Sequence, residues 1–161
     1  MKNVLKLLLP ILALITLFHC NKDDKNENVP TTDGTITCKV DGKAWKSKSV
    51  AGLNVENNYL LSGTAMDATK VELSFTGSKI GTYYLTSLSS DDGAYLVPFA
   101  LKSYSTENQT DKNANKLNVT QIDLVNQTIS GTFEFYATED FDENDKVHIT
   151  EGFLNKVPFV K

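Results

Sequence analysis

The chain has 161 residues, of which 40% are apolar and 22% are charged, and its formal net charge is −4. All 16 basic residues are Lys, so the chain has none of the Arg side chains that dominate bidentate phosphate recognition. This length and composition exclude a multidomain protein, a disulfide scaffold, a collagen-like chain and a basic nucleic-acid binder. We therefore expect one folded domain and no nucleic-acid partner.

The N-terminus has the composition of a secretory signal peptide. Lys2 and Lys6 introduce an apolar run over residues 7–18, which is shorter than the roughly 20 residues that a transmembrane helix needs. A basic start, a short apolar stretch and a polar continuation are typical of a signal that is removed after export. We predict that residues 1–19 form this signal peptide.

A cysteine follows the apolar run directly. The segment Leu17-Phe18-His19-Cys20 resembles the lipobox of bacterial lipoproteins, although His19 replaces the small residue that usually precedes the Cys. The resemblance implies that Cys20 is acylated as the signal is cleaved, which makes the membrane a partner through an N-terminal lipid. The alternative is a simple secreted form without lipid.

The next segment is almost devoid of apolar side chains. Residues 20–33 cannot bury enough surface to offset their chain entropy, so we predict a flexible acidic tether that leads to a domain over residues 34–161. Residues 21–24 resemble the Lys-plus-acidic export signal of Bacteroidota lipoproteins. This resemblance implies an outer-membrane location on the cell surface, with the periplasmic face as the alternative.

The remaining chain alternates strand-forming runs with Gly, Asn and Asp clusters. Asp41-Gly42 predicts a two-residue hairpin turn because both residues tolerate positive φ. The polar stretch 105–116 predicts an exposed loop. The predicted strands are Thr35–Val40, Lys43–Trp45, Tyr59–Ala65, Lys70–Thr76, Gly81–Leu85, Ala94–Ser103, Leu117–Leu124, Thr128–Ala137 and Val147–Val157.

Period-two alternation indicates an all-β protein. Residues 129–136 place Ile129, Gly131, Phe133 and Phe135 on one face and polar residues or Tyr on the other, as in a half-buried antiparallel strand. Without long helical crossovers, about eight or nine strands predict a single antiparallel β-sandwich or a partly open β-barrel.

The second cysteine lies in the first predicted strand. Alternation places Ile36, Cys38 and Val40 on one face of that strand. With Cys20 occupied by lipid, Cys38 has no partner for a disulfide within the chain. We predict that Cys38 is a buried, inert thiol.

Three segments resemble a known family: Cys38–Trp45, Ile129–Phe135 and Ile149–Phe153. Behind a lipidated Cys and a polar tether, they are similar to DUF6252, a Bacteroidota lipoprotein family of unknown function, over residues 34–158. The resemblance implies an exported all-β domain and supplies no active site.

One segment has the spacing of a twelve-residue calcium loop, with candidate ligands Asp140, Asp142, Asn144 and Glu151. However, Asp145 occupies the position that needs Gly, and predicted strands flank the segment in place of helices. Four residues of strand already span about 13 Å, which would carry Glu151 away from Asp140. A solvated hairpin loop is the preferred interpretation; calcium is the one cofactor considered, and otherwise no metal or cofactor is expected.

Candidate catalytic groups are sparse. His148 is the single His left after signal cleavage, and a lone His in a strand usually faces outward. The carboxylate pairs Asp91-Asp92 and Asp140/Asp142 lie in turn-like stretches. We predict a non-catalytic protein, with a small exported enzyme that hydrolyses glycans through loop carboxylates as the alternative.

Exposed aromatic residues could form a binding surface for sugars. Trp45, Phe75, Phe99 and Phe133 are predicted to lie in the core, whereas one of the adjacent Tyr83 and Tyr84 must face outward. Exposed rings offer flat apolar faces to sugars.

We therefore predict a binding or accessory module with an unidentified glycan or protein partner. A lipocalin-like barrel that holds a small apolar ligand is a further alternative.

Overall fold

The computed structural model describes residues 34–86, 92–98, 102–107, 109, 111 and 113–161. These residues form strands and turns, and no helix among them could cross a membrane. The predicted signal peptide, Cys20 and the predicted tether lie outside the described residues. The strands are β1 (Thr35–Val40), β2 (Lys43–Lys46), β3 (Ser49–Val55), β4 (Asn58–Thr64), β5 (Lys70–Thr76), β6 (Gly81–Tyr84), β7 (Gly93–Val97), β8 (Tyr104–Ser105), β9 (Lys116–Asp123), β10 (Thr128–Glu139) and β11 (Asp142–Pro158).

The strands make one antiparallel sheet that curls into a half-barrel. Its continuous path has the order β2-β1-β11-β10-β8-β7-β5-β4-β3, and β9 and β6 branch from β10. The branch forms because one edge of β10 pairs first with β9 over residues 128–134 and then with β8 over residues 138–139. The predicted all-β class and partly open barrel are therefore confirmed.

Alternation decides which face of each strand reaches the core. In β5, Val71, Leu73 and Phe75 are fully buried, while the polar residues between them lie on the outer face. In β10, the predicted inner face at residues 129, 131, 133 and 135 is buried throughout. A register slip of one residue would turn each of these faces outward, so the pattern fixes the pairing.

Aromatic rings in the core connect β4 and β5 to Phe159 near the C-terminus. The Tyr59 ring stacks on Phe75 with centroids 4.9 Å apart and meets Phe159 edge-on at 5.3 Å. Phe75 also contacts Tyr83 at 4.6 Å, whereas Tyr84 is exposed, as predicted for one of that pair. Of the predicted core aromatics, Phe75 and Phe133 are buried, Trp45 packs half-buried against the core, and Phe99 lies outside the described residues.

The Asp41-Gly42 turn is confirmed. Both residues have positive φ, at 47° and 78°, as a two-residue hairpin turn requires. The turn is also tied to β11, because the Asp41 N–H donates to the His148 carbonyl over 2.9 Å and the Asp41 carboxylate accepts from the His148 N–H over 2.8 Å.

The prediction of an exposed loop over residues 105–116 is wrong at both ends. Ser105, Thr106 and Asn115 are buried because their side chains and backbones satisfy the ends of neighbouring strands. The Thr106 hydroxyl accepts from the Ala94 N–H over 3.0 Å, and the Asn115 side-chain oxygen accepts from the Tyr136 N–H over 2.7 Å. Buried backbone donors need such partners, and short polar side chains supply them.

The predicted strand Ala94–Ser103 is also too long. β7 ends at Val97, and the next strand begins at Tyr104. Asp145 of β11 accepts hydrogen bonds from Lys102 and from the Tyr104 hydroxyl, the latter over 2.9 Å, and these bonds lower the pKa of its carboxyl. Sequence analysis also missed β3, whose small and polar residues hide its alternation.

Candidate functional site

The outer face of β9, β10 and β11 carries the candidate site. Thr132, Glu134 and Tyr136 occupy successive outward positions of β10, the middle strand of the three, and each pairs with a residue of one or both neighbouring strands. Four cross-strand pairs define these positions: Asn118 with Thr132, Thr132 with Phe153, Lys116 with Glu134, and Tyr136 with His148.

Tyr136 and His148 form a stacked pair on this face. Their ring centroids lie 3.8 Å apart with an interplanar angle of 7°. His148 Nε2 also lies 3.5 Å from the Glu134 Oε1 atom, a distance suited to an ion pair once the ring is protonated. His148 is thus a half-buried residue of the outer face, in contact with Tyr136 and close to Glu134.

A β-bulge in β11 shapes the middle of the face. In both ladders of β11, two of its residues stand opposite one residue of the neighbouring strand, and Glu151 belongs to the bulge on both sides. Glu151 has a φ of 50°, and its carboxylate pairs with Lys39 Nζ at 2.6 Å. Bulges re-aim side chains and recur next to functional sites.

Gly152 lets β11 approach Phe133 of β10 closely beside the bulge. A Cβ at this position would lie 2.5 Å from both the Phe133 ring and the Phe133 carbonyl oxygen. The buried residues Phe133 and Gly152 form the floor of an open groove of about 440 Å³ on the outer face. The groove walls are Lys116, Asn118, Thr132, Glu134, Glu151 and Phe153.

The groove combines one apolar ring with several polar groups. Phe153 is 47% exposed although it lies in the middle of a sheet, and its neighbours carry amide, hydroxyl, carboxylate and ammonium groups. Such a surface can hold a ligand that offers apolar C–H faces together with hydroxyl groups.

The candidate calcium ligands are not brought together. Asp140 lies in the two-residue turn between β10 and β11, whereas Asp142, Asn144 and Glu151 all lie in β11. The nine positions from Asp142 to Glu151 correspond to roughly 30 Å of strand. The Asp142 carboxylate instead accepts from the Asn144 N–H over 3.0 Å. Among the described residues, no group of three or more His, Cys, Asp or Glu side chains is arranged to hold a metal.

The remaining predicted residues lie elsewhere. Cys38 is a free, buried thiol, and its burial raises its pKa to about 12, which keeps it protonated. Asp92 accepts a hydrogen bond from the Thr76 N–H over 2.6 Å, while Asp91 and Cys20 lie outside the described residues. On the inner face, the large side chains of Tyr59, Phe75, Phe135 and Phe159 are fully buried.

The fold and groove define an all-β half-barrel with an open groove on its outer face. The chain belongs to the family described as Domain of unknown function (DUF6252), whose model matches residues 32–158. No curated protein and no solved structure matches the chain.

Sequence analysis missed the groove because its residues are distant along the chain. Glu134 and Tyr136 were recognisable as outward residues, but nothing in the spacing pointed to the bulge that brings Glu151 and Phe153 beside them. Gly152 was the available signal, since Gly inside a strand often marks a bulge.

Proposed function

We propose that the protein is a lipid-anchored, non-catalytic module of the outer membrane or cell surface that binds a glycan through the groove. The observation that carries the proposal is the exposed aromatic side chain of Phe153, which is surrounded by polar groups. Sugars stack their apolar faces on aromatic rings, and their hydroxyls exchange hydrogen bonds with amides, carboxylates and ammonium groups.

The binding proposal predicts that Phe153→Ala lowers affinity for the recognised glycan about tenfold, since an aromatic contact contributes roughly 1 kcal/mol or more beyond buried area. The full chain would be screened on a glycan array, and the affinity of each positive glycan would then be measured by titration. Phe141→Ala is the matched control, because Phe141 is 92% exposed but lies in the β10–β11 turn. A blank array, or equal losses in both variants, would contradict the proposal.

A reducing-sugar assay on the same glycans separates binding from hydrolysis. Glu134 and Glu151 both border the groove, so a hydrolase that acts on a glycan bound there would use these two carboxylates. Release of reducing sugar from a bound glycan, abolished by Glu134→Gln, would replace the non-catalytic proposal with a hydrolase.

The anchor predicts a separate result. Cys20→Ala removes the thiol that would carry lipid, so the full chain should move from the membrane fraction to the soluble fraction after cell lysis. The matched control is Cys38→Ala, which removes the buried thiol and should leave the distribution unchanged. Retention of the Cys20→Ala variant in the membrane fraction at the wild-type level would contradict the proposal that Cys20 carries a lipid anchor.

A further inference from the structure

Several exposed apolar side chains gather at one end of the half-barrel, where the chain enters the domain at Gly34. A Cβ on Gly34 would lie 2.5 Å from the Lys156 carbonyl oxygen and 2.8 Å from Pro158, so the entry point lies against the end of β11. Gly52 of β3 meets the same segment, because its Cβ would lie 2.5 Å from the Pro158 carbonyl oxygen.

Four apolar residues cover the β3 side of this end. Val160 forms a parallel bridge with Leu53, and Leu53 pairs with Leu60 across the β3–β4 ladder. Val55 lies two residues beyond Leu53 on the same outer face. All four side chains are exposed, which leaves a continuous aliphatic surface beside the entry point.

The β9–β10 turn extends this surface on the other side. The Phe159 N–H donates to the Gln127 carbonyl over 2.9 Å, which places the turn next to the same C-terminal segment. Leu124 and Val125 form its tip, and Val125 is 86% exposed. The Asp123 carboxylate accepts from the Val125 N–H over 3.0 Å, so the turn is held in the conformation that exposes these side chains.

We propose that this entry-end surface, defined as Leu53, Val55, Leu60, Leu124, Val125 and Val160, rests in the interfacial layer of the bilayer that holds Cys20. The inference rests on the proposed anchor. Residues 20–33 reach at most about 50 Å when extended, so an anchored Cys20 would hold Gly34 within that distance of the bilayer. Tethering raises the effective concentration of the bilayer at this surface, so even weak aliphatic contacts become occupied. Exposed Lys156 and Lys161 flank the surface and suit anionic headgroups.

The experiment places a polarity-sensitive fluorophore on the full chain in proteoliposomes, at Val125→Cys or, as the matched control, at Phe141→Cys. Both sites are exposed turn tips, at opposite ends of β10. The native thiol of Cys38 is buried and protonated, so labelling is specific for the new Cys. We expect doxyl-labelled lipids to quench the fluorophore at position 125 at least twice as strongly as at position 141, and aqueous iodide to show the reverse order.

Three other outcomes overturn the inference, and each has its own meaning. Equal lipid quenching at both positions in membrane-bound protein removes the docking surface while the anchor stands. Protection of position 125 from iodide without lipid quenching shows that a protein, such as a second copy of the chain, covers the surface. Loss of the wild-type chain itself from the vesicles removes the anchor, and the docking with it.

Discussion

Phe135→Ala is expected to lower the free energy of unfolding by about 3–5 kcal/mol, the usual cost of truncating a fully buried Phe. Phe135 is fully buried in β10, and its ring stacks on Phe133 with centroids 6.2 Å apart. It also lies between residue 134, the last that pairs with β9, and residue 138, the first that pairs with β8. The cavity would therefore open where the sheet branches.

Chemical denaturation of the purified full chain measures this cost. Tyr136→Ala is the matched control, because it removes an adjacent aromatic ring from the outer face of the same strand. Surface truncations away from special contacts usually change stability by about 0.5 kcal/mol, and loss of the His148 stack adds a cross-strand term of up to about 1 kcal/mol. Equal losses for the two variants would show that the core is not where the structure places it.

Gly152→Ala is expected to cost about 1–3 kcal/mol, the range seen when a methyl group is forced into filled space. The added Cβ would meet both a movable group, the Phe133 ring, and a fixed one, the Phe133 carbonyl oxygen, at 2.5 Å. The strands must separate to make room, so the groove floor would shift as well. We expect the loss of stability to be accompanied by weaker binding at the groove.

A second substitution separates the contribution of the Phe133 ring from that of the Phe133 carbonyl oxygen. Phe133→Leu removes the ring but leaves the carbonyl, so adding it to Gly152→Ala should restore little of the lost stability. Full recovery in the double variant would mean that the ring alone sets the cost. Wild-type stability of Gly152→Ala itself would show that the bulge is looser than described.

Alternation made much of the fold predictable. The bounds of β1 and β5 agree with the predictions residue for residue, and the Asp41-Gly42 turn joins the predicted strands. Each of these elements buries one face, and a buried face leaves a period of two in the sequence.

Where polar residues are buried, the same reasoning fails. Thr106 and Asn115 read as loop residues because composition cannot show that their oxygens accept hydrogen bonds from Ala94 and Tyr136. β3 was hidden for a related reason: its inner face is Val50, Gly52 and Asn54, which has no apolar period.

The candidate site was even less predictable. Its residues come from three strands, and Glu151 reaches the groove through a bulge that neither spacing nor composition determines. The calcium spacing from Asp140 to Glu151 was a coincidence of sequence, since β11 begins inside that segment and keeps the carboxylates apart.

The pairing of β1 with β11 makes the first strand depend on the last. Thr35 faces Asn155, and Phe159 packs against Tyr59, so the β1–β11 ladder and the aromatic core both need the C-terminal residues of the domain. Contacts of such high sequence separation form slowly, because the loop they close is long. A chain still being synthesised therefore lacks the strand on which its own beginning must pair, and the β1–β11 ladder can form only after the residues of β11 have been released.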